Sequence, residues 1–218
     1  MRVPATTYAE CVPELTSTRM PERMSTSRAD LDALLDSQFL AHVSLAPDGN
    51  PVVFPTLIAR DGDHVLIHGS TGSRWMRALA GGAPACVAVT DVGGIVVARS
   101  AFESSIVYRS AVLFGTFSVA PDAAGSLSTL TNKFLPGRTD EVRASTAKER
   151  AATMVLAMPI DHWSLRINDH WPEDPDEDVA GDAWAGIVRF GSPQVTVQPA
   201  PDLRPGIPVP DSVRSLAG

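Results

Sequence analysis

The residues best equipped for chemistry in this sequence are concentrated between Ile67 and Leu79, which reads I-H-G-S-T-G-S-R-W-M-R-A-L. An apolar alternating segment ending at His68 gives way to a small polar turn, Gly69 to Ser73, and then to an amphipathic helical pattern from Arg74 to Ala80. The first N–H groups of a helix have no internal acceptor, and the helix dipole places partial positive charge there. Ser70, Thr71 and Ser73 add hydroxyl donors, and Arg74 and Arg77 lie on one helical turn, where both guanidinium groups can reach an anion. The turn therefore suits a phosphate. A serine N-cap followed by two solvated arginines accounts for the same residues, so the surrounding chain has to decide between them.

A second polar cluster runs from Arg99 to Ser110, with Ser100, Ser104, Ser105 and Ser110 between or beside Arg99 and Arg109. Two arginines flanking a crossover either converge on one anion or pair with acids as an ordinary exposed loop. The net charge is −7, yet Val65 to Ser118 holds four arginines against Asp91 and Glu103, a local +2 that leaves −9 elsewhere. A basic centre in an acidic chain points to a small anionic ligand and away from nucleic acid or a membrane surface. No metal site is expected. The five histidines form no helical H-x-x-x-H, and His64 and His68 would stand roughly 13 Å apart along a strand. No G-x-S-x-G, P-loop or G-x-G-x-x-G marks a nucleophile or dinucleotide site.

The elements that must position these residues follow from periodicity. Residues 1–24 have no period and read as an arm that orders only against another surface. Ser27 caps a helix with the stripe Leu31, Leu34 and Leu35, and Asp30 completes a capping-box variant. Phe39 to Leu45 and Pro51 to Ala59 alternate around Pro47-Asp-Gly-Asn50 as a hairpin, and Pro55 implies an edge, a bulge or a ligand beside its strand. His64 to His68 is a third strand. Ala85 to Asp91 and Ile95 to Ser100 read as two strands about a Gly93-Gly94 turn, followed by a long strand from Tyr108 to Val119. Asp122 caps a helix through Leu135, Pro136-Gly137-Arg138 breaks it, and Thr146 to Thr153 is helical. Val155 to Met158 and Trp163 to Ile167 read together as the last barrel strand. The run Glu173 to Asp178, five acids in six residues, reads as solvated loop, and the proline-rich end from Pro193 as extended chain. Antiparallel strands with short turns and one interposed helix favour a small barrel over a parallel sheet. Cys11 and Cys86 make no disulfide framework, and no segment has the length of a membrane span, so a soluble cytoplasmic protein is expected.

The succession H-G-S-x-x-S-R, then V-A-V-T-D-x-x-G-x-V-x-A-R-S-A-F, then Y-R-S-x-V-L-F-G, P-G-R and D-x-W-A-G resembles the flavin-nucleotide-binding branch of the pyridoxamine 5′-phosphate oxidase-like family, relatives of the nitroimidazole reductases. The resemblance implies a mainly β, antiparallel split β-barrel of Greek-key type with peripheral helices. The resemblance covers roughly Ser25 to Pro210, and with the aperiodic start and the proline-rich end the chain divides into an arm (1–24), a barrel domain (25–192) and a tail (193–218). It further implies a homodimer with FMN at the interface. Carried over by position, Ser73 and Arg74 hold phosphate, and His68 and Ser70 contact phosphate or ribityl. Val53, Phe54, Pro55 and Thr56 line the isoalloxazine ring, Arg109 and Ser110 are the arginine and serine of the Y-R-S motif, and Trp184 approaches the flavin. Where many members read His-His-Ser and then Asn, this chain has Glu103, Ser104, Ser105 and Val107. Substrate preference is therefore its own, with Glu103, Arg166 and Trp184 as candidate contacts. The reading implied is an FMN-dependent oxidoreductase acting on a small organic substrate. The alternatives are a non-catalytic flavin-binding or sensing protein, or a split barrel using deazaflavin or haem.

Overall fold

In the computed structural model, residues 17–191, 197, 206 and 208–216 are described. Most of the proline-rich tail and the first sixteen residues of the arm lie outside them. The chain builds two antiparallel sheets around a shared core. The first contains β1 (Met24–Ser25), β2 (Leu40–Leu45), β3 (Val52–Leu57), β6 (Pro84–Val97), β7 (Ser105–Thr116), β10 (His162–Asn168) and β11 (Gly186–Arg189). Its order is β1-β10-β7-β6-β2-β3, with β11 paired to β6. The second contains β4 (Ala59–Asp61), β5 (His64–Ser70), β8 (Ser118–Val119) and β9 (Thr153–Pro159), ordered β4-β5-β9-β8. This is the small antiparallel barrel that the strand pattern favours, in the mainly β split form with peripheral helices that the family resemblance implies.

Alternation decides which side chains meet. Ala41, Val43 and Leu45 of β2 and Val87 and Val89 of β6 point inward, as do Ala111 and Leu113 of β7. Across the barrel they meet Val65 and Ile67 of β5 and Leu156 and Met158 of β9. Helix α1 (Arg28–Ser37) closes one end with Leu31, Leu34 and Leu35, all fully buried. Ser27 caps it by accepting the Asp30 N–H, but the Asp30 carboxylate accepts from the Ser25 hydroxyl instead of reaching back, so the capping box does not close. A second, smaller core lies on the other face of the second sheet. There Leu66, Val155 and Ala157 pack on Leu130 of α3 (Ala123–Phe134). Lys133 of α3 donates to the carbonyls of Leu35 (2.7 Å) and Asp36 (2.5 Å) at the end of α1, and burial pulls its ammonium below the ordinary lysine value.

The hairpin stands as expected: β3 is the edge strand, so Pro55, paired with His42, removes no interior ladder bond. Four other elements differ. Gly93-Gly94 is a β-bulge within the single strand β6, not a turn between two strands. The partner β7 runs past it without interruption, while the opposite edge of β6 passes from β2, against Ala85–Ala88, to β11, against Gly94–Val97. Residues 153–168 make two strands in different sheets, because the chain changes sheet at Ile160, whose N–H donates to the Asp63 carbonyl. The acidic run is not simply solvated. Part of it forms the turn of helix α6 (Asp176–Val179), and the Asp174 carboxylate, 0% exposed, accepts from both the backbone N–H and the guanidinium of Arg99. Within the described part of the tail, α7 (Asp211–Arg214) is helical, held by the Glu141 carboxylate, which accepts from the Ser212 N–H and hydroxyl. Glu141 belongs to α4 (Arg138–Glu141), which follows the Pro136-Gly137 break.

A Cβ at residue 94 would sit 2.4 Å from the Val188 carbonyl oxygen, so only glycine lets β11 reach the bulge. Gly94→Ala is expected to destabilise the protein by about 1–3 kcal/mol. Urea unfolding would show this as a lowered midpoint at unchanged slope; a midpoint equal to the parent's would show that β11 does not need this approach.

Candidate functional site

The turn between β5 and α2 (Arg74–Ala80) is set by packing. A Cβ on Gly69 would lie 2.8 Å from Cγ and 3.0 Å from Sδ of the buried Met76, so the absent side chain is what seats α2 on β5. The turn then closes on itself. Ser73 N–H donates to the Ser70 carbonyl (2.9 Å), Gly72 N–H to Ser70 Oγ (3.1 Å), and Met76 N–H to Ser73 Oγ (3.4 Å). From the other side, Thr71 gives its N–H (3.0 Å) and its hydroxyl (3.3 Å) to the Ala152 carbonyl. Ala152 ends α5 (Ala147–Ala152), a helix that sequence reasoning did not connect to this turn.

Ser73 is thus a true N-cap, and its oxygen accepts while its hydroxyl hydrogen stays available to donate. Arg74 and Arg77 are exposed, and Arg74 lies over the ring of Trp75 at 3.9 Å. Among the described residues neither has an acid within ion-pairing distance, whereas most other arginines do. The serine cap and an anion cradle are therefore compatible here. His68 follows Leu66 in alternation and so shares the face covered by α3; its Nδ1 is buried without a hydrogen-bond partner. Val53 and Pro55 are exposed on one face of edge strand β3, with Phe54 and Thr56 half-buried on the other.

Arg99 and Arg109 do not converge. Arg99 is committed to Asp174, and Arg109 bonds the Asp91 carboxylate at 2.6 Å across the β6–β7 pair. Ser110 points to the opposite face, where it shares a hydrogen bond with Thr90 (3.3 Å) and is the cross-strand neighbour of Arg166. Two of the proposed substrate contacts, Glu103 and Arg166, meet in one cleft of about 320 Å³. Trp184 is not among its lining residues. Its ring covers Gly186, where a Cβ would come within 2.7 Å.

The cleft also gathers residues that sequence reasoning missed: Arg19, Arg23, Tyr108, His170 and Trp171. An adjacent His-Trp pair within an acidic segment was the signal available for the last two. Arg166 donates from Nε to the Tyr108 hydroxyl (3.0 Å) and from Nη1 to Ser17 Oγ and the Arg19 carbonyl (both 3.3 Å). Among the described residues no group of three or more His, Cys, Asp or Glu side chains could hold a metal ion, and no helix is long and apolar enough to cross a membrane.

The sheets, the bulged strand and the capped turn define an antiparallel split barrel with a strand–turn–helix unit over residues 64–80. The chain belongs to the Pyridoxamine 5'-phosphate oxidase family, whose match spans residues 27–167. Among solved structures it is similar to the FAD and heme binding protein from Mycobacterium smegmatis, at 55% identity and TM-score 0.87 over 90% of this chain and 98% of that one. The flavocytochrome Anf3 from Azotobacter vinelandii follows at 31% identity and TM-score 0.84, covering 93% and 98%. A putative 5-nitroimidazole antibiotic resistance protein from Bacteroides thetaiotaomicron shares the fold at 15% identity and TM-score 0.56, covering 66% and 86%. No curated protein matches the chain.

One element of the site carries its own pH dependence. In α5 the Glu149 carboxylate is held down to about 2, first by the Arg143 guanidinium and then by the Thr146 backbone N–H of a closed capping box. A carboxylate depressed in the folded state stabilises fully above its unfolded value of 4.5, and the contribution disappears as pH falls toward 2. The protection factor of the Thr71 amide, whose acceptor ends α5, is expected to fall through that window. In Glu149→Ala it should already be reduced at pH 6. Unaltered protection in the variant would show that α5 does not depend on this carboxylate.

Proposed function

We propose that this protein is a flavin-dependent redox protein, with the flavin phosphate held in the turn between β5 and α2. The observation that carries the reading is the pair Arg74 and Arg77, exposed and without an acid partner among the described residues, at the start of a capped helix pinned by Gly69. Ser70, Ser73 and Arg74 would bind the phosphate end, and the free edge of β3 from Val53 to Thr56 would face the ring. A bound flavin supplies the electron chemistry, and the protein supplies orientation and donors near it. No side chain is required as nucleophile, acid or base.

The relative at 55% identity is described as binding FAD, so FAD is favoured over FMN for this chain. Its description includes heme, and the relative at 31% identity is described as a flavocytochrome, which supports haem as a second cofactor. The side chains that suit an iron ligand are His68, with its unpartnered Nδ1, and His170 in the cleft. With both cofactors the protein is an electron-transfer or oxidoreductase module; with flavin alone it is an oxidoreductase or a flavin-binding protein. A second copy of the chain is the proposed partner. Val188, Ile95 and Ile106 stand in register across β11, β6 and β7 as an exposed aliphatic row suited to an interface.

Arg74→Ala is expected to weaken flavin binding by roughly 1.5–3 kcal/mol, the range for a charge-assisted hydrogen bond. Titration followed by flavin fluorescence measures this for FMN and FAD separately, and unchanged affinity for both would return Arg74 to a solvated surface. Absorption after incubation with haemin tests the second cofactor, through a Soret band that His68→Ala or His170→Ala should shift. Ile95→Glu should halve the mass measured by light scattering if the aliphatic row is the dimer surface; an unchanged mass would place the interface elsewhere.

A further inference from the structure

We propose that the cleft between β7, β10 and the segment 170–173 is a receptor for a flat ligand carrying a single carboxylate. The core of the argument is Arg166. Three of its N–H groups are taken by neutral acceptors: the Tyr108 hydroxyl, Ser17 Oγ and the Arg19 carbonyl. They orient the guanidinium without cancelling its charge, and both N–H groups of Nη2 remain unclaimed within the described residues. A guanidinium held in place before the ligand arrives spends little of its interaction on ordering, which favours a charge-assisted hydrogen bond from Nη2 to a carboxylate oxygen.

Charge then selects the ligand's valence. Arg23 is paired with Glu173 at 3.2 Å and contributes no net charge. Arg19 and Arg166 have no acid partner among the described residues, and Glu103 opposes them from the same cleft. Two cations against one anion leave a surplus of one, which matches a monoanionic carboxylate better than a phosphate dianion. The ligand's body follows from the aromatic rim. Phe102 is 86% exposed and Trp171 72% exposed, so two large apolar side chains of the cleft stand in water. Covering them with a planar ring is favourable by burial and by stacking.

A flat ligand with one carboxylate is a small aromatic acid; a haem, which carries two carboxylates, exceeds the single surplus charge of the cleft. The inference does not rest on the flavin reading, because no cleft residue takes part in the turn between β5 and α2. Failure of the Arg74→Ala titration and failure here are separate results.

The test uses the full chain and isothermal titration with three probes: 2-naphthoate, its neutral counterpart 2-naphthalenemethanol, and haemin. The expected result is binding of naphthoate, at least tenfold weaker in Arg166→Gln, with the neutral alcohol at least tenfold weaker than the acid in the parent. Should Arg166→Gln fail to fold, Arg19→Gln is read instead. The Arg19 side chain makes no hydrogen bond within the described residues, and its loss leaves the backbone carbonyl bonded to Arg166. Naphthoate binding that haemin does not displace supports the aromatic monoacid; haemin that displaces naphthoate in an Arg166-dependent way would overturn it in favour of the dicarboxylate. Equal binding of acid and alcohol, unchanged affinity in the variants, or no binding of naphthoate would overturn the proposal and leave Arg166 as a strut for residues 17–19.

Discussion

Helix α2 lies so close to β5 that residue 69 has no room for a Cβ, and the geometry of the proposed site descends from that contact. With Met76 pressed against Gly69, the three residues between strand and helix must turn tightly. Their backbone and hydroxyl groups then satisfy one another through Ser70 and Ser73. The same contact faces Met76 and Leu79 into the core and leaves Arg74 and Arg77 outside. A second anchor comes from more than eighty residues away, where the Ala152 carbonyl takes the Thr71 N–H. A turn held from both sides is a better anion cradle than a free one, because little ordering remains to be done when an anion arrives.

Electrostatics in this protein is largely a matter of which arginines are already spoken for. The local surplus of +2 between Val65 and Ser118 is distributed unevenly once the chain is folded. Asp91 neutralises Arg109 from within the segment, and Asp174 neutralises Arg99 from outside it. The Arg99–Asp174 pair is the more consequential of the two, because its carboxylate is fully shielded and removing the arginine would strand a buried charge. An exposed pair such as Arg189–Asp169 contributes little. Among the described residues, four of the five arginines without an acid partner lie in two places, Arg74 and Arg77 at α2 and Arg19 and Arg166 in the cleft; the fifth is Arg150. In both places, positive charge is left unpaired by the described residues, which is what the two proposed anion sites require.

Much of this was legible in the chain because it is written in local periods and caps. The stripe Leu31, Leu34 and Leu35, the Ser27 and Asp122 caps, the hairpin around Asp48-Gly49, and the strand–turn–helix at 64–80 all depend on residues within a few positions of each other. The ordered motifs carried the family and the barrel. What escaped depends on distant partners. Gly93-Gly94 has the composition of a turn, and it became a bulge because β7 continued past it and β11 needed the space. The acidic run has the composition of a solvated loop, yet Asp174 was drawn inward by Arg99, seventy-five positions earlier. The tail helix α7 exists against Glu141 of α4.

The candidate site divides along the same line. The sequence by itself determined that residues 67–79 form a strand, a serine-capped turn and a helix with two arginines on one turn, because spacing and side-chain chemistry suffice for that. It also determined the family and the split barrel. Only the tertiary structure decided that Arg99 and Arg109 are neutralised, that Ser110 neighbours Arg166, and that Glu103 and Arg166 share a cleft with Tyr108, His170 and Trp171. The reason is that a side chain's charge is local whereas its compensation is not. Whether an arginine is free for a ligand depends on which carboxylate the fold carries to it.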